Sequence, residues 1–113
     1  MEYKIKIYGG EVKGDYFHTI AMVDIRKAKF QSAIYDVLSK ERNGAAVFLW
    51  IKRAEVWEDR YEDPLLTIDI NVVIDALRLD SEEYEYPLFD IALATLETMA
   101  KYYPDAKVVL FGY

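Results

Sequence analysis

The first residues alternate. Tyr3, Ile5 and Ile7 fall on one side and Lys4, Lys6 and Tyr8 on the other, which predicts a half-buried strand over Glu2–Tyr8. Gly9-Gly10 and Gly14 predict a turn. Asp15–Ile25 reads as a second strand with Phe17, Thr19, Ala21, Val23 and Ile25 on one side, and the two strands read as a hairpin. The period then changes. Phe30, Ala33/Ile34, Val37 and Leu38 recur at helical spacing, so Arg26–Arg42 is predicted as a helix, with Asn43-Gly44 as its stop. Ala45–Lys52 follows with the apolar run AAVFLWI, the pattern of a central strand covered on both faces.

Residues 53–63 fit a continued strand, with Ala54, Val56 and Glu58 alternating against Glu55, Trp57 and Asp59, or a helix. Asp63-Pro64 ends either. Leu65–Ile70 reads as a strand with Leu66, Ile68 and Ile70 on one face. Asn71 caps a short helix over Val72–Leu79; the alternative is a strand running on through Ile74. Asp80–Tyr86 is a loop rich in charge and tyrosine. Pro87 suits the first turn of a long helix ending near Tyr103, with Phe89, Leu93, Leu96, Met99/Ala100 and Tyr103 on its apolar side. Pro104-Asp105 stops it, and Lys107–Gly112 is a last apolar strand. The expectation is one α+β domain over residues 1–113. It has an antiparallel or mixed sheet, two main helices packed on one face, and the ferredoxin-like order β-α-β-β-α-β with an extra N-terminal strand.

Composition narrows the chemistry. The chain has no cysteine, which removes disulfides, thiolate zinc sites and a cysteine nucleophile, and fits a cytoplasmic setting. MEYKIKIY has no apolar h-region, so no signal peptide is expected. The apolar runs Ala45–Ile51 and Val108–Phe111 are too short to span a bilayer. The single histidine, His18, lies mid-strand and reads as a structural or surface residue. Gly9-Gly10 and Gly14 lack the Lys-Ser/Thr of a phosphate loop. Asp69, Asp75 and Asp80 show no ordered metal-ligand spacing. Glu11-Val12-Lys13 has a nuclease-like Glu-x-Lys form without an acid at a strand end before it. No cofactor or metal is expected. A carboxylate-based, metal-dependent enzyme using Asp69, Asp75 and nearby acids is the third-ranked alternative. Lys4, Lys6, Arg26, Lys27, Lys29 and Lys52-Arg53 carry no RNA-binding motif and read as solvated surface charges.

Charge changes the picture most. Residues 55–90 hold twelve acids and two bases, Arg60 and Arg78, in a chain of net charge −6. Residues 1–54 hold ten Lys/Arg against six Asp/Glu. The acids cluster with aromatics in VWEDRYED and DSEEYEY. Such crowding is unfavourable unless something offsets it. Carboxylates can imitate a row of phosphates and steer association with a positive groove, while Tyr and Trp anchor interfaces. The sequence therefore points to a non-enzymatic inhibitor or decoy that docks on a basic groove of a nuclease or other nucleic-acid-binding enzyme. Toxin-immunity proteins and phage anti-defence proteins of the anti-CRISPR type fill such roles. Glu55, Glu58, Asp59, Glu62, Asp63, Glu82, Glu83 and Glu85 are the candidate electrostatic contacts; Trp57, Tyr61, Tyr84 and Tyr86 are the candidate anchors. Direct nucleic-acid and membrane binding are not expected. The second alternative is a self-associating assembly module, a homodimer included, whose basic half meets the acidic half of a neighbour.

Overall fold

The computed structural model describes residues 2–29 and 31–113. In chain order its elements are β1 (Glu2–Tyr3), β2 (Ile5–Lys13), β3 (Tyr16–Asp24), β4 (Ala28–Lys29), α1 (Ala33–Asp36) running on as a π-helical segment (Val37–Glu41), β5 (Leu49–Ile51), β6 (Ala54–Val56), β7 (Ile68–Asp69), α2 (Ile70–Glu83), α3 (Pro87–Tyr102) and β8 (Lys107–Gly112). The fold is α+β. Its main sheet is four-stranded and antiparallel, in the order β3-β2-β8-β7. β1 pairs with β4, and β5 with β6, as separate two-stranded ribbons.

Two cores lie against this sheet. On one face Ile5, Ile7, Val108 and Leu110 pack with Val73, Ile74 and Leu77 of α2 and with Phe89, Ala92, Leu96 and Met99 of α3. These helical residues fall at i, i+3, i+4 and i+7 spacings, so each helix buries one stripe. On the other face Val109 and Phe111 pack with Phe17, Val47, Leu49 and Leu65. The strand buried on both faces is therefore β8.

Several expectations are corrected. Gly9-Gly10 is not a turn; β2 runs through it to Lys13, and the turn is at Gly14, whose φ is 65°. The register slips between Gly9, opposite Ala21, and Gly10, opposite Thr19, which leaves Ile20 as an extra residue on β3. This bulge reverses which face the residues before it meet. Phe17 joins the second core while Ala21 and Val23 pack on the first, so the predicted single face of Phe17 through Ile25 is split.

The Arg26–Arg42 helix begins at Ala33. Asp24 Oδ1 accepts from the Arg26 N–H (2.9 Å), Arg26 takes a left-handed φ of 61°, and Ala28–Lys29 pairs with β1 instead. Phe30 lies outside the described residues. Ala45–Lys52 is not a central strand: only Leu49–Ile51 is strand, paired with β6 outside the main sheet. Burial is confined to its middle, because Val47, Phe48 and Leu49 are buried while Ala45, Ala46 and Trp50 are exposed. Leu65–Ile70 shrinks to Ile68–Asp69, since Ile70 already opens α2. Its N-cap is Asp69, not Asn71: Asp69 Oδ1 accepts from the Asn71 N–H (2.8 Å). The helical reading of Val72–Leu79 holds, but the helix continues to Glu83 and takes in half of the predicted Asp80–Tyr86 loop.

Gly10 gives the sharpest test of the bulge. A Cβ on it would stand 2.0 Å from the His18 carbonyl oxygen, a backbone atom with nowhere to go. Gly10→Ala is expected to lower unfolding free energy by about 2 kcal/mol or more, read as a lower midpoint in urea denaturation. An unchanged midpoint would show that β3 can re-register at no cost.

Candidate functional site

The predicted acidic aromatic segments occupy two places. The first, residues 55–63, follows the β5–β6 ribbon. Lys52 and Arg53 close that ribbon as a two-residue turn with φ of 50° and 66°, the geometry of a type I′ hairpin without its usual Asn-Gly. Trp50 pairs across the ribbon with Glu55 and is 55% exposed. Phe48 lies buried beneath, with Tyr16, Trp50 and Trp57 around it at ring centroid distances of 5.3, 6.0 and 5.1 Å. Trp57 and Tyr61 are 41% and 48% exposed.

Asp59 is the knot of the loop. It is only 6% exposed. Its Oδ1 accepts from the N–H groups of Tyr61 (2.8 Å) and Asp63 (3.2 Å), and its Oδ2 from that of Gly112 (3.2 Å). Arg42 leaves the end of the π-helical segment and reaches both acids, with Nη1 3.5 Å from Asp59 Oδ2 and Nη2 3.3 Å from Asp63 Oδ2. The Arg60 N–H donates to the Gly112 carbonyl at 3.0 Å. The Tyr61 hydroxyl donates to the main-chain oxygen of Tyr113 at 3.0 Å, and its ring lies 5.1 Å from that of Tyr3. The charges of Asp59 and Asp63 are thus used within the molecule. Glu55, Glu58 and Glu62 are exposed, and among the described residues none of the three has an ion pair.

The second segment sits elsewhere. Glu82 and Glu83 form the exposed last turn of α2, and Tyr84, Glu85 and Tyr86 link α2 to α3. Anionic side chains at a helix C-terminus oppose the helix dipole, and no basic residue offsets them in that turn. Tyr84 and Tyr86 are half-buried against Phe89, at 6.1 and 5.0 Å, and the Tyr86 hydroxyl donates to the Ile25 carbonyl at 2.6 Å. Burial first, and then the charges of Glu83 and Asp80, push the Tyr84 phenol up.

Asp80 is buried and caps α1 from across the fold: Oδ1 accepts from the Ala33 N–H (2.7 Å) and Oδ2 from the Ile34 N–H (2.9 Å). Burial raises its pKa, the two N–H groups pull it back, and Glu83 and Asp36 add to the rise.

The two acidic groups do not merge into one knot. Between them lies the segment from Ala33, held by Asp80, to Arg42, held by Asp59 and Asp63, a span of roughly 13 Å at helical rise. Of the other candidates, Asp69 caps α2, Asp75 pairs with Arg78 at 3.3 Å, and His18 is exposed 6.2 Å from the Tyr16 ring. Among the described residues no three His, Cys, Asp or Glu side chains stand close enough to hold a metal ion, and no helix is long and apolar enough to cross a membrane.

Sequence reasoning missed Trp50, Arg42 and Tyr113. The Tyr113 ring lies under Lys4 and Lys6, at 5.9 and 4.9 Å, and its hydroxyl donates to the Asp24 carboxylate at 2.6 Å. Burial and then Asp24 push its phenol up to about 12. Trp50 was hidden inside the apolar run. Nothing local marks Arg42 or Tyr113 as partners of distant acids.

Asp59→Ala is expected to cost about 3 kcal/mol, because it strands Arg42 and three N–H groups; hydrogen exchange should lose protection at Tyr61, Asp63 and Gly112. For Asp80 the folded state holds its proton to higher pH than the unfolded chain, so ionising it lowers stability. Relative to Asp80→Asn, the native protein should gain stability as pH falls from about 7 to about 4. A pH-independent difference in denaturation midpoints would sink this.

No protein-family model, curated protein or solved structure matches this chain.

Proposed function

We propose that this chain is a non-enzymatic, cytoplasmic binding protein, an inhibitor or decoy that docks the face around the β5–β6 ribbon on a basic groove of a nucleic-acid-handling enzyme. The toxin-immunity and anti-defence roles are the settings it suits. The observation that carries the reading is the company of Trp50, Trp57 and Tyr61, all half-exposed, with Glu55, Glu58 and Glu62, which form no ion pair among the described residues. Rings supply anchors and carboxylates supply steering. The loop is pre-organised by Asp59, which lowers the ordering cost of binding. Non-glycine residues at positive φ concentrate here too, at Lys52, Arg53 and Glu62, and such strain gathers at functional sites. Glu82, Glu83 and Glu85 form a second, unneutralised acidic surface for the same partner. The ferredoxin-like wiring rests on the succession of elements alone, and the proposal leans only on the α+β scaffold.

A second reading, self-association, is favoured by β3. This strand ends the sheet, with Phe48 pairing along its start at Tyr16 and Phe17, and Asp24 is its only Asp, Glu, Lys or Arg. An apolar groove of about 450 Å³ runs between it and α3, lined by Ile20, Ala21, Met99, Tyr102 and Tyr103. Uncharged edges invite strand addition. A dimer built this way survives high salt, unlike the expected pairing of basic and acidic halves.

The tagged protein should capture, from source-cell lysate at low salt, a basic nucleic-acid-binding protein that high salt or added duplex DNA releases. The Glu55→Lys, Glu58→Lys, Glu62→Lys triple variant, checked for folding by circular dichroism, should weaken that binding roughly tenfold or more. Capture indifferent to salt, to DNA and to the triple variant would defeat the decoy reading. A salt-resistant dimer in sedimentation would favour β3 pairing.

A further inference from the structure

Beneath the 57–63 loop lies a cleft of about 260 Å³. Three cations from three separate elements line it: Lys6 from β2, Lys52 from the ribbon turn, and Arg60 from the loop. Lys6 is held through its side chain and the other two through their backbones. Lys6 stands 4.9 Å from the centre of the Tyr113 ring, Lys52 is fixed at a left-handed φ of 50°, and the Arg60 backbone is tied to Gly112 at 3.0 Å. The loop around them holds four carboxylates, yet among the described residues none of these cations forms an ion pair. Of the two acids on the lining, Asp59 is neutralised by Arg42 and three N–H groups, which leaves Glu58 alone against three positive charges.

Like charges gathered at one place repel, and in a chain of net charge −6 acids were at hand to relieve them. An anion in the cleft would do so. We infer that this cleft binds a small phosphomonoester. Three cations suit a dianion, and the guanidinium fork of Arg60 suits phosphate oxygens in particular. Ile51, Phe111 and the Tyr113 ring give the cleft an apolar wall, which favours an organic body over a bare ion. The volume sits just under the usual range for ligand pockets, roughly 300–1,000 Å³, which suits a single phosphate carrying a small ring system. The inference goes beyond the docking face. Glu58 is common to both, but Glu55, Glu62 and the tryptophans take no part in the cleft and the docking face does not call on Lys6, Lys52 or Arg60, so either can fail without the other.

Isothermal titration with adenosine monophosphate, inorganic phosphate and adenosine, at about 0.15 M salt, tests it. The monophosphate should bind with a Kd below about 1 mM, phosphate more weakly, and adenosine not at all. The Lys52→Asn, Arg60→Gln variant removes two charges while Asn suits the left-handed turn, so it should fold normally and lose at least about tenfold in affinity. Lys6→Met, read separately by the same titration, should do likewise. No binding of either phosphate compound, equal binding of adenosine, or full binding by the folded double variant would each overturn the assignment.

Discussion

Strand β8 is the constraint on which the rest depends. Val108 and Leu110 point into the helical core, Val109 and Phe111 into the core under the β5–β6 ribbon, and all but Phe111 are fully excluded from solvent. Each such side chain contributes about 2 kcal/mol of transfer free energy, and among the described residues no other strand places fully buried side chains in both cores. Its backbone pairs with β2 on one side and β7 on the other. Its end also fastens the candidate site. Gly112 gives its N–H to Asp59 and takes one from Arg60, while Tyr113 holds Tyr61, Lys4 and Asp24. The joint is tight, because a Cβ on Gly112 would lie 3.0–3.2 Å from the Tyr61 ring and Asp59 Oδ2, so a larger residue would need them to give by a few tenths of an ångström.

The charge map changes on folding. Along the sequence, residues 55–90 look uniformly acidic. In space, Arg42 from the basic half folds onto Asp59 and Asp63, and Arg78 lies between Asp75 and Glu97. Asp69 and Asp80 are spent on helix N-termini. The acidity that remains is divided between the ribbon loop and the end of α2. Linear charge counts cannot anticipate this, because ion pairs between residues 42 and 59 are decided by where a helix ends.

Elements with a long, clean period were legible. The β2–β3 hairpin, α3 with its leading Pro87, and β8 follow from alternation or helical spacing together with their stop signals. What escaped were features set by one contact between distant residues. The bulge at Gly10 depends on a close approach to His18, and the start of α1 on a carboxylate 47 residues away. The doubly buried strand was expected at Ala45–Lys52 and is instead β8, because the sequence holds two continuous apolar runs. Only the pairing with β2 distinguishes Val108–Phe111 from Ala45–Ile51. At the site, Trp57 and Tyr61 were visible as exposed aromatics among acids, whereas the inward turn of Asp59 was not, since its neighbours in sequence all face solvent.

The position of β8 also bears on how the molecule reaches this state. Ile5 pairs with Gly112, so the central pairing of the sheet closes a loop of about a hundred residues. The entropy of that closure must be met before either core gains its middle strand, and topologies rich in such distant pairs fold slowly for their size. Until the pairing forms, β2 and β3 are a lone two-stranded ribbon, marginal in water. The slow event expected of such wiring is the search for one register across the whole chain, whereas the bulge at Ile20, which sends Phe17 to one core and Ala21 and Val23 to the other, is local to the hairpin that β8 must join.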